Sequence, residues 1–312
     1  MEVTIIDEMP LIHRIPFWFS WNGYRGSQFV WPLFEFLRKL PDAKKVRLPN
    51  TFPLFMKERD WISKTIYQGT YERPLLHFLN SLVVSNLVVD VGANIGVTLW
   101  HGLRNGQADS EFFAFEPSKQ CIEDLKWSTS FLKNKGSVLP YAIGDLDGIQ
   151  TLFGVENEAH SGGASFISHS GLRGATATVE VRKLDSLRVS HFGGSPVSLL
   201  KIDTEGYESF VIAGANELLS SGMVEIVIME VSPNFGDISF LRDVEELLGE
   251  KYLWFSLEES GRVKRKPCLH RISVEESLGM TTQWNLVLMR NDIFDEYCSK
   301  QIPIFLKGKI NE

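Results

Sequence analysis

The chain has 312 residues, of which 44% are hydrophobic and 23% charged, and its formal net charge is −7 at pH 7. These are the proportions of a globular protein with one substantial core and room for an extension. The acidic balance argues against a nucleic-acid binder, which usually shows a basic face.

Cys121, Cys268 and Cys298 are isolated, form no metal-type spacing, and suit a reducing, cytoplasmic setting. The first residues do not pair a basic segment with an apolar one as a secretory leader would. No stretch is apolar for long enough to span a bilayer, so no transmembrane segment is expected. The nearest candidate, Phe17 to Leu37, is broken by Asn22, Arg25, Gln28 and Glu35, and by Gly23, Gly26 and Pro32.

Residues 1–64 are dense in aromatics, and Leu33, Phe34, Leu37 and Leu40 have helical spacing. This extension could cover the substrate side of a sheet, form a homo-oligomer interface, or rest on a membrane surface. Ordinary packing on the main domain is its simplest account. The main domain is expected over 65–290, with 291–312 as a tail. Pro74 predicts a helix over Leu75–Ser81, and Glu72 then lies beside its start.

Leu87, Val88, Val89 and Val91 make a short, mostly β-branched run that suits a strand buried on both faces. Asp90 interrupts it, and a buried carboxylate needs a partner. Gly92 permits a sharp turn, Asn94 to Gly96 continue it, and Val97 to Trp100 begin a helix. Strand, glycine turn and helix form the nucleotide crevice of open α/β sheets. A dinucleotide fingerprint requires Gly-x-Gly-x-x-Gly, whereas here Asn94 stands where the second glycine would. A nicotinamide-dependent oxidoreductase is disfavoured on that ground.

A second strand over Glu111–Phe115 ends in Glu116-Pro117. An acidic residue at that strand end is placed to accept hydrogen bonds from ribose hydroxyls. Ser118 is an N-cap for a helix from Lys119 to about Lys133. A third strand, Val138–Ile143, closes in Gly144-Asp145. There Asp145 could accept an adenine amino group, with Ile143 or Gly144 against the ring; a plain Gly-Asp turn explains the residues equally well. Ile149–Val155 and Thr176–Leu184 read as an added strand pair, and the small polar loop between them holds His160, a candidate general base.

Val197–Ile202 is a buried strand ending in Asp203-Thr-Glu-Gly-Tyr-Glu208, which brings Asp203 and Glu205 to the crevice. Lys201 inside this strand requires a partner or a marginal position. Val224–Val231 follows, with Glu230 near its end, then a helix from Asp237 to Leu248. Tyr252–Leu257 and Asn285–Met289 read as the last two strands, with a solvated basic run, Lys264-Arg265-Lys266, between them.

Taken together, Val88-Val-Asp-Val-Gly-Ala-Asn-Ile-Gly96, Phe115-Glu-Pro117, Ala142-Ile-Gly-Asp145, Ser161-Gly-Gly-Ala-Ser165 and Leu200-Lys-Ile-Asp-Thr-Glu-Gly-Tyr-Glu208 resemble FkbM-type S-adenosylmethionine-dependent methyltransferases. The resemblance runs from about Tyr67 to Leu257. It implies an α/β, doubly wound, seven-stranded Rossmann-like sheet in the order 3-2-1-4-5-7-6 with the last strand antiparallel. It also implies S-adenosylmethionine as cofactor and a small-molecule or glycan hydroxyl as acceptor.

On this resemblance, Gly92, Ala93 and Asn94 contact the methionine part and Glu72 pairs with its amino group; Asp90, which supports the loop, Gly96, Glu116, Pro117, Ile143, Gly144, Asp145 and Asp203 complete the cofactor set. A hydroxyl acceptor must lose a proton, so Asp203, Glu205 and His160 are the candidate bases, the first two preferred for their strand-end placement. A divalent cation held by Asp203 and neighbouring oxygens could instead lower the acceptor pKa, but the sequence shows no dedicated metal-ligand cluster, so this is the minor reading and no metal is assigned. An N-methyltransferase of a small amine, a nicotinamide-dependent enzyme and a non-catalytic scaffold are the alternatives.

Overall fold

The computed structural model describes residues 7–37, 39–40, 44–57, 60–155, 163–166, 175–260 and 265–299. A short strand β1 (Asp7–Glu8) precedes helices α1 (Leu11–Trp21) and α2 (Ser27–Leu37). It pairs in parallel with β2 (Lys44–Arg47), which turns back onto β3 (Pro53–Met56). The aromatic-rich extension therefore builds two helices and a small sheet, and the sheet is an addition to the sequence reading.

Helix α3 (Trp61–Gln68) starts where the Asp60 carboxylate accepts the Ser63 amide at 2.8 Å, and it ends at Gly69 with φ 71°. This helix straddles residue 64. Its Ile62, Ile66 and Tyr67 share one buried cluster with Phe52 and Leu54 of the extension and with Val88 and Leu99 of the main sheet layer. Extension and main domain thus have a common core. Helix α4 (Arg73–Leu79) carries Pro74 in its first turn.

Strand β4 (Leu87–Val91) is buried throughout. Its alternation divides two layers: Leu87, Val89 and Val91 enter one apolar cluster and Val88 the other. Helix α5 (Val97–Leu103), strand β5 (Glu111–Phe115), helix α6 (Lys119–Thr129) and strand β6 (Lys135–Leu139) follow, and β4, β5 and β6 pair in parallel. The expected third strand over Val138–Ile143 is two strands. Pro140 has no amide to give to a ladder. The chain leaves the sheet there, and β7 (Tyr141–Ile143) joins β8 (Gly148–Val155) and β9 (Ala175–Arg182) in a separate three-stranded sheet.

After helix α7 (Leu184–Leu187) the chain re-enters the main sheet as β10 (Val197–Ile202), parallel to β4. Helices α8 (Glu208–Ala213) and α9 (Asn216–Ser220) lead to β11 (Val224–Val231), and α10 (Leu241–Leu248) to β12 (Tyr252–Ser260). Strand β13 (Lys266–Arg271), helix α11 (Val274–Leu278), strand β14 (Trp284–Arg290) and helix α12 (Asn291–Ser299) complete the described chain.

The main sheet runs β6-β5-β4-β10-β11-β14-β12-β13, with β14 antiparallel to both neighbours. It has eight strands, which corrects the expectation of seven. The additional strand is β13, folded back on β12; Pro267, Cys268 and Leu269 in it are buried. The charges of the preceding basic run concealed it. Among the described residues no helix is long and apolar enough to cross a membrane.

Candidate functional site

A cavity of about 520 Å³ opens at the carboxyl ends of the parallel strands, within the range of clefts that hold small ligands. Its floor is the turn between β4 and α5. There the Gly92 and Ala93 amides both donate to the Phe115 carbonyl at 3.0 Å. Gly92 has φ 76°, and a Cβ on it would lie 1.8 Å from the Asp203 carbonyl oxygen, so only glycine fits. Asn94 also adopts a left-handed conformation, with φ 49°. Its side-chain oxygen is buried without a protein partner among the described residues.

Glu116 lines the cavity from the end of β5. Its carboxylate accepts the Asn94 amide at 2.9 Å and the Ser118 amide at 2.8 Å. These bonds fix the loop, and each carboxylate oxygen can still accept a further hydrogen bond. Burial pushes the Glu116 carboxyl up to about 7, against the opposing pull of the two amides.

Lys201 sits at the centre of the sheet, register partner to Asp90. Its Nζ lies 3.5 Å from Asp90, lies 3.1 Å from Asp203, and donates to the Gly92 carbonyl at 3.2 Å. Thr98 donates to the other Asp90 oxygen at 3.0 Å. The ammonium is buried, and the two aspartates overcome that burial and hold its pKa above the ordinary lysine range. Asp90 is therefore a support beneath the cavity and does not line it.

Asp203 and Glu205 reach the cavity from the end of β10, and Glu230 from β11. Each of the three offers a carboxylate oxygen within 4.8 Å of the others, an arrangement that could hold a metal ion. The sequence showed no such cluster; the fold assembles it from two strand ends. Burial, then the Asp203 charge, push both Glu205 and Glu230 above the ordinary carboxylate range. The loop carrying Glu205 (φ 54°) is held from both sides. Glu208 accepts the Thr204 amide at 2.8 Å, and Ser165 donates to the Glu205 carbonyl at 2.7 Å.

Glu72 and Tyr71 enter from the start of α4. Asn285 of β14 donates to Glu72 at 2.9 Å, and Gln283 donates to Glu230. Tyr71, Glu230 and Gln283 are cavity residues to which the sequence reading gave no role. Glu230 was detectable as an acid near a strand end, whereas the other two depend on tertiary approach.

Of the expected cofactor contacts, Glu72, Gly92, Ala93, Asn94, Glu116, Pro117, Ile143 and Asp203 line the cavity. Asp90, Gly96, Gly144 and Asp145 do not. Gly96 packs against Leu125 and Ser128 of α6. Gly144 is covered by Tyr207, and its carbonyl lies where a Cβ on Gly214 would be. The wall beside Ile143 is instead apolar, formed with Leu152, Phe115 and Phe166. His160 lies outside the described residues.

A family model described as the methyltransferase FkbM domain matches residues 90–253, more than half of the chain. The chain belongs to the FkbM methyltransferase family. S-adenosylmethionine is accordingly its cofactor. The residues present fit it: a glycine turn with no room for a Cβ, an unpartnered Asn94 oxygen, a buried carboxylate at the second strand end, and an acidic cluster suited to a cationic ligand.

A comparison with curated proteins finds no match. Similar solved structures include a protein described as an RNA methyltransferase from Pyrococcus horikoshii, with 15% identity, 72% of this chain and 85% of that chain covered, and TM-score 0.36. A precorrin-6y C5,15-methyltransferase from Geobacter metallireducens shows 10% identity, 71% and 87% coverage, and TM-score 0.35. TrmK from M. capricolum in complex with S-adenosyl-homocysteine shows 9% identity, 69% and 67% coverage, and TM-score 0.34.

Proposed function

We propose that this FkbM methyltransferase methylates a hydroxyl group, on a sugar or a related polyhydroxylated small molecule. The observation that carries this reading is the cluster of Asp203, Glu205 and Glu230 at the cavity. Bound S-adenosylmethionine supplies a methyl group already activated on a sulfonium. The protein's part is then to align the acceptor, exclude water and take one proton.

A hydroxyl is a poor nucleophile until a base relieves it of that proton. Asp203 is engaged by the Lys201 ammonium at 3.1 Å, so its carboxylate is already occupied. Glu205 has no such cation in contact, and its raised pKa brings it toward neutrality, where a general base is most effective. We assign Glu205 as the proton acceptor and Asp203 to holding the cofactor's positive end.

The same cluster disfavours methylation of an amine. Neighbouring carboxylates stabilise an ammonium, and an ammonium has no lone pair to attack with.

The test is incubation of the purified protein with methyl-labelled S-adenosylmethionine and parallel panels of monosaccharide and small-amine acceptors, with products read by mass spectrometry. Methyl ethers from the sugar panel support the proposal. Methylamines without methyl ethers would overturn it. Titration with S-adenosylhomocysteine in the same preparation reports the cofactor site independently of the acceptor.

A further inference from the structure

We propose that α1 and α2 form a docking face for an anionic lipid bilayer. Leu11, Ile15 and Trp18 recur at helical spacing on α1 and are 77%, 53% and 51% exposed. On α2, Phe29 and Leu33 are 78% and 60% exposed. The opposite side of α1, with His13, Phe17 and Ser20, is buried in the protein. Apolar side chains so exposed on two packed helices mark an interaction surface. Trp18 and Phe19 further pack on Tyr24 in the turn between the helices, which sets aromatic rings at the boundary.

Charge selects the occupant. Residues 9–40 contain Arg14, Arg25, Arg38 and Lys39 against the single acid Glu35, in a chain whose overall charge is −7. Arg14 leans on Glu8 at 3.1 Å, whereas Arg25 and Lys39 are exposed. A second copy meeting this face across a two-fold axis would set the basic segment against itself. An anionic bilayer matches it in both respects, taking the apolar side chains into its interface and the cations at its headgroups.

The position of the face adds a functional reason. The turn Gly23–Gly26 between the helices lines a groove of about 1150 Å³ that shares Glu72 and Gln283 with the cofactor cavity. A bilayer held against α1 and α2 lies beside the wall of that groove. The docking itself is independent of which acceptor is methylated.

Flotation of the full chain with vesicles tests this. Vesicles of phosphatidylcholine and phosphatidylglycerol in equal parts should carry the protein, and pure phosphatidylcholine vesicles several-fold less. The double variant Leu11→Glu, Phe29→Glu should reduce the bound fraction at least tenfold while its thermal midpoint stays that of the parent. Absence of flotation by the parent chain, or equal flotation by the variant, would overturn the proposal. So would a parent dimer in sedimentation velocity that the same variant splits into monomers, because a second copy would then cover the face.

Discussion

Lys201 in β10 and Asp203, the first residue past its end, form an ion pair of 3.1 Å at the mouth of the central crevice. Lys201 also neutralises Asp90, which is fully within the core. Removing one partner of such a group leaves a buried charge uncompensated, at a cost of about 3–5 kcal/mol. Lys201→Met should therefore lower stability by that order, read as the shift of the urea midpoint. Adding Asp90→Asn to it should recover part of the loss. An unchanged midpoint in the single variant would remove Lys201 from this role.

Glu116 gives stability a pH dependence whose sign is fixed. Its folded value of about 7 lies above the ordinary 4.5. Its contribution is thus fully present below pH 4.5 and is lost as the pH rises through 7. At ~1.4 kcal/mol per unit this amounts to about 3 kcal/mol, as an order of magnitude. Glu116→Gln should flatten the stability profile of the unliganded protein between pH 5 and pH 8. It should also weaken S-adenosylhomocysteine binding by roughly tenfold or more, because a charged acceptor for the ribose hydroxyls is gone. Calorimetric titration checks the second effect, and unaltered affinity would break the ribose assignment.

The rate of methyl transfer should rise with pH as Glu205 loses its proton, since burial, Asp203 and Glu208 all hold that proton on. Glu205→Gln should cut kcat by about 10²–10⁴-fold and abolish this rising limb. Asp203→Asn removes the neighbouring negative charge, so the limb should move to lower pH while kcat also falls. A wild-type profile in Glu205→Gln would transfer the base to another group.

Chelator treatment should leave turnover unchanged. Lys201 already compensates Asp203, and Glu230 holds its proton above the ordinary carboxylate range, so the cluster carries less charge than its three acids suggest. Loss of activity in EDTA, with recovery on adding Mg²⁺, would reassign Asp203, Glu205 and Glu230 as a cation site.

Much of this was legible because strand patterns are local. The run Leu87–Val91, the obligatory turn at Gly92 and the acid at Glu116 are each written within a few residues, and β4, β5, β10 and β11 begin and end where the pattern places them. Lys201 announced that it needed a partner, though not which one.

What stayed hidden depends on distant chain. Glu72 meets Asn285 across 213 positions, and Glu230 joins Asp203 only because β11 pairs beside β10. Asp145 was placed at the cavity by its strand end. Tyr207 and Gly214 cover Gly144 from either end of α8, some sixty to seventy residues later in the chain, which local sequence cannot show. Strand β13 was hidden by the charges at its start, Arg265 just before it and Lys266 within it, which lie exposed beside buried Pro267 to Leu269.

The insertion of β14 between β11 and β12 has a consequence for cutting the protein into parts. The family match stops at residue 253, at the start of β12, while β14 arrives only at Trp284–Arg290. A fragment trimmed to that match would keep β11 but not the strand that closes its free side. The ladder Ile226–Val231 would then stand open as a template for intermolecular pairing, and such a truncation should aggregate rather than fold.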